Sequence, residues 1–170
     1  TCGLQYTVLM PIIASELLHG QAVAYGFLTT AAGVGALVGS LSIAYSGNKK
    51  GRRRRIGLAT VILSLTLVPL AFSQSMAISM AAIVIAGICL SIHWNGGNSL
   101  MQQCVEPSSR GKLMGVYTTF TLGLAPFTAL LAGWTAEKYG VTMALVASAA
   151  GMLCGALLYL IQVRRLNDLC

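Results

Sequence analysis

Charged residues are spaced so widely along this chain of 170 residues that the intervals between them constrain its fold more than any motif does. The interval from Glu16 to Lys49 is strongly apolar from Val23 to Tyr45, and Arg55 and Glu106 enclose 50 uncharged residues. Lys112 to Glu137 and Lys138 to Arg164 bracket two further apolar runs. A helix needs about 20 consecutive apolar residues to cross a bilayer. The longest interval exceeds that, and Ser73-Gln74-Ser75 divides it. The spacing predicts five complete spans, at residues 23–45, 56–72, 76–98, 113–136 and 139–163. Residues 1–14 are apolar but too short to cross, and read as part of a sixth helix whose beginning is missing. A signal peptide would need a basic leading segment and a small-residue cleavage site, neither of which is present.

The balance of residues excludes the common alternatives. Only 9% of the chain is charged and 56% is hydrophobic, whereas a soluble domain carries roughly 25% charge. Five cysteines with no CxxC spacing indicate neither a disulfide scaffold nor a metal site. A phosphate-binding GxxxxGK[ST] loop is absent, so no nucleotide or other cofactor is indicated.

Orientation follows from the basic residues, which concentrate in short cytoplasmic loops. With alternating sides, Lys49, Lys50, Arg52, Arg53, Arg54, Arg55, Arg110, Lys112, Arg164 and Arg165 share one side, and Lys138 stands on the other. The basic side is read as cytoplasmic, the C-terminus with it, and the net charge of +7 as a consequence of topology. Arg52 to Arg55 could in principle grip nucleic acid. Between two spans, anionic lipid headgroups are the better partner, and no nucleic-acid partner is expected.

Helices in lipid associate where small residues let backbones approach. Gly35 and Gly39, and again Gly151 and Gly155, have the four-residue spacing of such faces. Polar residues also fall on faces: Tyr25, Thr29, Ala32 and Ala36 on the second segment, Tyr117, Thr121, Leu124 and Thr128 on the fifth. Aligning Tyr25 with Tyr117 and Thr29 with Thr121 relates two segments that cross in opposite directions, as in an inverted three-plus-three repeat. On the fourth span Ser91, Asn95, Asn98 and Gln102 form a stripe that should meet another helix or water. His93 and Trp94 beside it fit either an interfacial aromatic belt or a cavity lining. All four carboxylates, Glu16, Glu106, Glu137 and Asp168, fall in loops or at ends, so a coupling carboxylate is expected outside these residues.

Several segments together resemble a known family. They are Tyr25-Gly26-Phe27-Leu28 with Gly33 to Ser40, Asn98 and Gln102 leading to Pro107, Arg110-Gly111-Lys112 with Met114 to Tyr117, and Gly123-Leu124-Ala125-Pro126 with Leu130 to Gly133. In this wording and order the chain resembles the C-terminal half of a major facilitator superfamily transporter, in the enterobactin-exporter and macrolide-efflux branch. The resemblance implies an all-α membrane fold, with this chain as the six-helix half of a twelve-helix protein, comprising partial helix 7 and complete helices 8 to 12. It further implies a missing N-terminal half as partner, alternating access, and export of an amphiphilic small molecule, commonly against a proton gradient, across a bacterial inner membrane. The superfamily's cytoplasmic motif maps onto Asn48, Lys49, Lys50, Gly51, Arg52 and Arg53, with Asn48 at the usually acidic position and Ala44 where glycine is common. The next cytoplasmic loop keeps Pro107, Arg110, Gly111 and Lys112. By the same resemblance Tyr25, Thr29, Asn95, Tyr117 and Thr121 face a central cavity, while Gly33, Gly35, Gly39, Gly123, Pro126 and Gly133 serve helix packing. Catalysis is not expected. A scaffold or receptor that kept the fold without transporting is the competing class.

Overall fold

The computed structural model describes residues 5–14, 22–45, 49–73, 75–103 and 105–167. These residues form six helices and no strand: α1 (Gln5–Ile12), α2 (Ala22–Ala44), α3 (Lys49–Phe72), α4 (Met76–Gln103), α5 (Arg110–Tyr139) and α6 (Val141–Asn167). An apolar chain in lipid must satisfy every backbone group internally, and a helix does so within one segment. All but α1 are long and apolar enough to cross a bilayer. At 1.5 Å per residue, the 23 residues of α2 reach about 35 Å, enough for a hydrocarbon layer of about 30 Å.

Helix ends depart from the limits of the apolar runs. Arg52 to Arg55, expected in a loop, lie within the opening turns of α3. Charge does not end a helix; it only marks where the helix leaves hydrocarbon. Tyr139, expected to open the last span, instead closes α5, because Gly140 adopts φ +86° and its N–H bonds back to the Ala136 carbonyl at 2.9 Å. That conformation suits glycine alone. Pro69 and Pro126 sit inside α3 and α5.

Glycine sets the closest helix contact. α2 and α4 run parallel, with Gly35 against the Val84 backbone and Gly39 against Ile88. A Cβ on Gly39 would lie 2.5 Å from the Ile88 carbonyl oxygen, and one on Gly87 at 2.5 Å from that of Ala32. Each backbone therefore enters a notch left by the other. Lipid offers no hydrophobic driving force between helices, so such contact surface carries association. α3 fills the core with Leu63, Leu67 and Leu70, packing antiparallel to α4 and α6, where Leu145 is fully buried. Exchanging α1, α2 and α3 for α4, α5 and α6 turns the α2–α4 pairing into α5–α1 and α3–α4 into α6–α1, and leaves α3–α6 unchanged; all of these contacts occur. This is the pairing pattern of an inverted three-plus-three repeat.

The two ends of the bundle differ in chemistry. At one, Arg52 donates from Nη1 to Ser99 Oγ at 2.8 Å and Arg55 from Nη2 to Ser42 Oγ at 2.8 Å. These bonds dock the start of α3 onto the ends of α4 and α2. At the other end Ser79 Oγ donates to Ser73 Oγ at 3.0 Å, and Ser73 Oγ to the Ser75 carbonyl at 3.0 Å, sealing the turn between α3 and α4. Lys138 Nζ lies 5.0 Å from the Trp134 ring centre and 5.4 Å from that of Tyr139, a cation held on aromatic faces. Because Arg52 is buried and Arg54 exposed, Arg52→Ala should destabilise the detergent-solubilised protein by about 1–3 kcal/mol. Arg54→Ala should change it little, and thermal unfolding of the two variants side by side checks the difference.

Candidate functional site

α4 and α5 scarcely touch, and the space between them opens a cleft of about 570 Å³ walled also by α3 and α6. Its position follows from the helix directions. Ile56 and Thr60 come from the first half of α3, His93 and Trp94 from the second half of α4, Tyr117 and Thr121 from the first half of α5, and Tyr159 from late in α6. The cleft therefore lies toward the end of the bundle that carries Arg52 and Arg55. Gly151 and Gly155, expected on a helix-packing face, instead line this cleft, and Gly155 has no atom near where a Cβ would stand. Their lack of side chains widens the cleft.

The lining is aromatic and uncharged. Trp94, Tyr117, Phe120 and Tyr159 bring rings from three helices, and no Asp, Glu, Lys or Arg lines the space among the described residues. Thr121 Oγ1 donates to the Tyr117 carbonyl at 2.8 Å, so its hydroxyl proton is satisfied within α5. Thr60 Oγ1 donates to the Ile56 carbonyl at 2.9 Å and lies 2.8 Å from His93 Nδ1, tying α3 to α4 across the cleft wall. Flat, polarisable rings bind varied apolar bodies by dispersion, while a few fixed polar groups orient them.

Leu90 and Trp94 also line a second, shallower groove of about 390 Å³ with Ala32, Ala36 and Asn95. Trp94 thus stands between the two hollows. Asn95 Nδ2 donates to Ser40 Oγ at 3.1 Å and to Ser91 Oγ at 3.0 Å, and the two serine oxygens are 2.8 Å apart. This triad joins α2 to α4 beside Gly39. Part of the polar stripe on α4 is thereby met by a helix, while Asn98 Oδ1 is buried without a hydrogen-bond partner among the described residues.

Of the five residues read as cavity-facing, the structure brings Tyr117 and Thr121 together in the cleft and puts Asn95 in the adjoining groove. Tyr25 is exposed on α2, and Thr29 Oγ1 donates to the Tyr25 carbonyl at 3.0 Å. Thr121 makes the same bond to Tyr117. The sequence match between α2 and α5 is thus also a match in local hydrogen bonding. In the basic motifs, Gly51 is half-buried, Arg52 and Arg53 lie in α3, and Lys49 begins it. Asn48 lies outside the described residues. Pro107 opens a short 3-10 turn, Arg110 Nε donates to the Val105 carbonyl at 3.4 Å, and Gly111 and Lys112 are exposed. Gly33, Gly123 and Gly133 have no atom within 4 Å of where a Cβ would stand, and Pro126 is exposed. Thr60 and Tyr159 entered no sequence motif. Their only signal was a hydroxyl within an otherwise apolar span.

Comparison with known proteins bears on the fold and site together. The sequence profile of the transmembrane secretion effectors matches residues 4–169. The multidrug efflux pump Tap of Mycobacterium tuberculosis is 27% identical over 139 residues, covering 82% of this chain and 33% of that protein. Its counterpart in Mycobacterium bovis matches equally. The MFS-type transporter ppzB of Metarhizium majus is 28% identical over 138 residues, covering 79% of this chain and 29% of ppzB. This chain therefore spans about a third of the length of the curated relatives it matches. No solved structure matches.

Proposed function

Because the chain belongs to the transmembrane secretion effectors, a family of major facilitator transporters, we propose that its six helices form the C-terminal half of a secondary exporter of amphiphilic small molecules. In this reading a second six-helix half faces α2 and α5, and the two halves rock to give alternating access. The observation that carries it is the cleft: four aromatic rings, hydroxyls and one imidazole, without a carboxylate or a cation among the described residues. Such a lining favours a largely apolar compound over a sugar phosphate or an inorganic ion. The similarity to multidrug efflux pumps supports the same class of substrate.

Exposure along α5 supports a second half. Ala132 is its one buried residue, while Phe120, Phe127 and Leu130 are 65% exposed or more. Gly33, Gly123 and Gly133 would then be approach points for that half. The driving force is an ion gradient, most simply protons, and the basic end faces the cytoplasm.

Efflux of a hydrophobic dye from cells expressing the full-length gene tests the proposal. Export should be saturable and should collapse with a protonophore; retention of dye equal to that in cells without the gene would favour the non-transporting class. Orientation has its own test. Cys104 and Cys170, both outside the described residues, should react with an impermeant maleimide in everted vesicles but not in intact cells, while buried Cys89 stays unreactive in both.

A further inference from the structure

The hydroxyl of Thr60 has one proton to give and two neighbours that can take it, the Ile56 carbonyl oxygen at 2.9 Å and His93 Nδ1 at 2.8 Å. The Ile56 carbonyl oxygen can only accept, whereas Nδ1 can donate instead, so placing the proton of Thr60 Oγ1 on the carbonyl satisfies both contacts. With the proton placed there, the contact of 2.8 Å between Thr60 Oγ1 and His93 Nδ1 takes its N–H from the imidazole. A neutral histidine that carries its proton on Nδ1 has its lone pair on Nε2. Nε2 has no partner among the described residues, and His93 is an exposed residue of the cleft lining. In that tautomer the chain presents one basic nitrogen to an aromatic cleft and holds its ring from behind. Protonation at Nε2 leaves the bond to Thr60 intact, so the site can gain or lose a proton without rearranging.

We infer that His93 carries its proton on Nδ1, against Thr60, and that its Nε2 is a binding site shared by a proton and the transported compound, which occupy it in turn. The compound's chemical class follows: an aromatic amphiphile with an O–H or N–H donor, its rings against Trp94 and Tyr117 and its donor on Nε2. When a proton from water takes the lone pair, Nε2 becomes a donor, the compound's hydrogen bond is lost, and a positive charge stands in an apolar space. The other titratable groups facing the cleft are the phenols of Tyr117 on α5 and Tyr159 on α6; α3 contributes no titratable side chain to the lining. Arg53, about a turn before the lining residues of α3, is the cation whose charge reaches Tyr159. No carboxylate lines the cleft among the described residues to neutralise a protonated ring. This inference rests on the exporter reading, since exclusive occupancy is the exchange that proton-coupled export requires.

Rhodamine 6G, an aromatic cation with N–H donors, serves as the probe, with the full-length protein in lipid nanodiscs and binding followed by fluorescence polarisation. Below the midpoint of the imidazole titration, Kd should rise about tenfold for each pH unit. His93→Gln keeps an acceptor near Nε2 but cannot titrate, so it should bind at pH 8 and show a flat profile from about pH 5 to 8. A profile in His93→Gln as steep as in the parent protein overturns the inference. Carbethoxylation decides the matter if that variant does not bind or does not fold. Diethylpyrocarbonate modifies neutral imidazole nitrogens, and peptide mapping of the parent protein reports His93 alone. Protection of His93 by rhodamine 6G supports the shared site, and unchanged modification at saturating dye overturns it. Binding and protection without protonophore-sensitive efflux would leave the site standing while removing the exporter reading.

Discussion

Gly39→Leu in the full-length protein is expected to abolish most of the folded yield by forcing α2 and α4 apart. A Cβ at this position meets the Ile88 carbonyl oxygen at 2.5 Å and the Ser91 Cβ at 2.9 Å. Backbone cannot swing aside as a flexible side chain can, so α2 and α4 must separate. Separation would also stretch the Asn95 bond to Ser40 and the contact between Ser40 and Ser91. Overpacking commonly costs about 1–3 kcal/mol, and loss of the parallel contact adds to it. Gly97→Leu is the matched control, because no atom lies within 4 Å of a Cβ there. Size-exclusion profiles of the two variants after mild detergent extraction separate these outcomes; equal monodisperse yields would show that α2 and α4 do not depend on the notch.

The second large effect is expected at Trp94. Its indole lines both the cleft and the adjoining groove, so Trp94→Ala merges two hollows and removes a stacking surface from each. Loss of a central aromatic anchor typically costs about 2 kcal/mol or more, and a drop of at least about tenfold in the apparent affinity of dye efflux corresponds to about 1.4 kcal/mol. Tyr117→Ala should follow in the same direction with a smaller change, since Phe120 and Tyr159 remain. Tyr25→Ala, on an exposed part of α2 away from the cleft, should alter efflux least. Concentration-dependent efflux at matched membrane levels checks the order. Trp94→Ala behaving as the parent protein would remove the cleft from the transport pathway.

The membrane class and the count of five spans were legible in the sequence because hydrocarbon tolerates so little charge. Eleven basic and four acidic residues in this chain act as markers whose spacing reports the thickness of a bilayer. Helix ends were less legible. Backbone helicity continues past the last apolar residue, as at Arg52 to Arg55, and stops where a backbone angle forces it, as at Gly140. Gly35 and Gly39 announced a close helix contact through spacing alone, yet Gly151 and Gly155, with identical spacing, line a cleft. Spacing shows that a face is small; it does not say whether another helix occupies it.

What this sequence determined by itself, then, is the environment of the chain and the number of its crossings, since each depends on a residue's affinity for lipid or water. Only the tertiary structure decided which polar groups share a space. Thr60 and His93 are 33 positions apart and meet because α3 and α4 run antiparallel at one depth. Asn95, three residues before Asn98 on the same stripe, is taken up by serines of α2 and α4. Tyr117 faces Tyr159 and Trp94 across a gap that exists because α5 leans on α6 rather than on α4. In a helix of uniform hydrophobicity, pattern cannot choose the buried face; only contact with the neighbouring helices does.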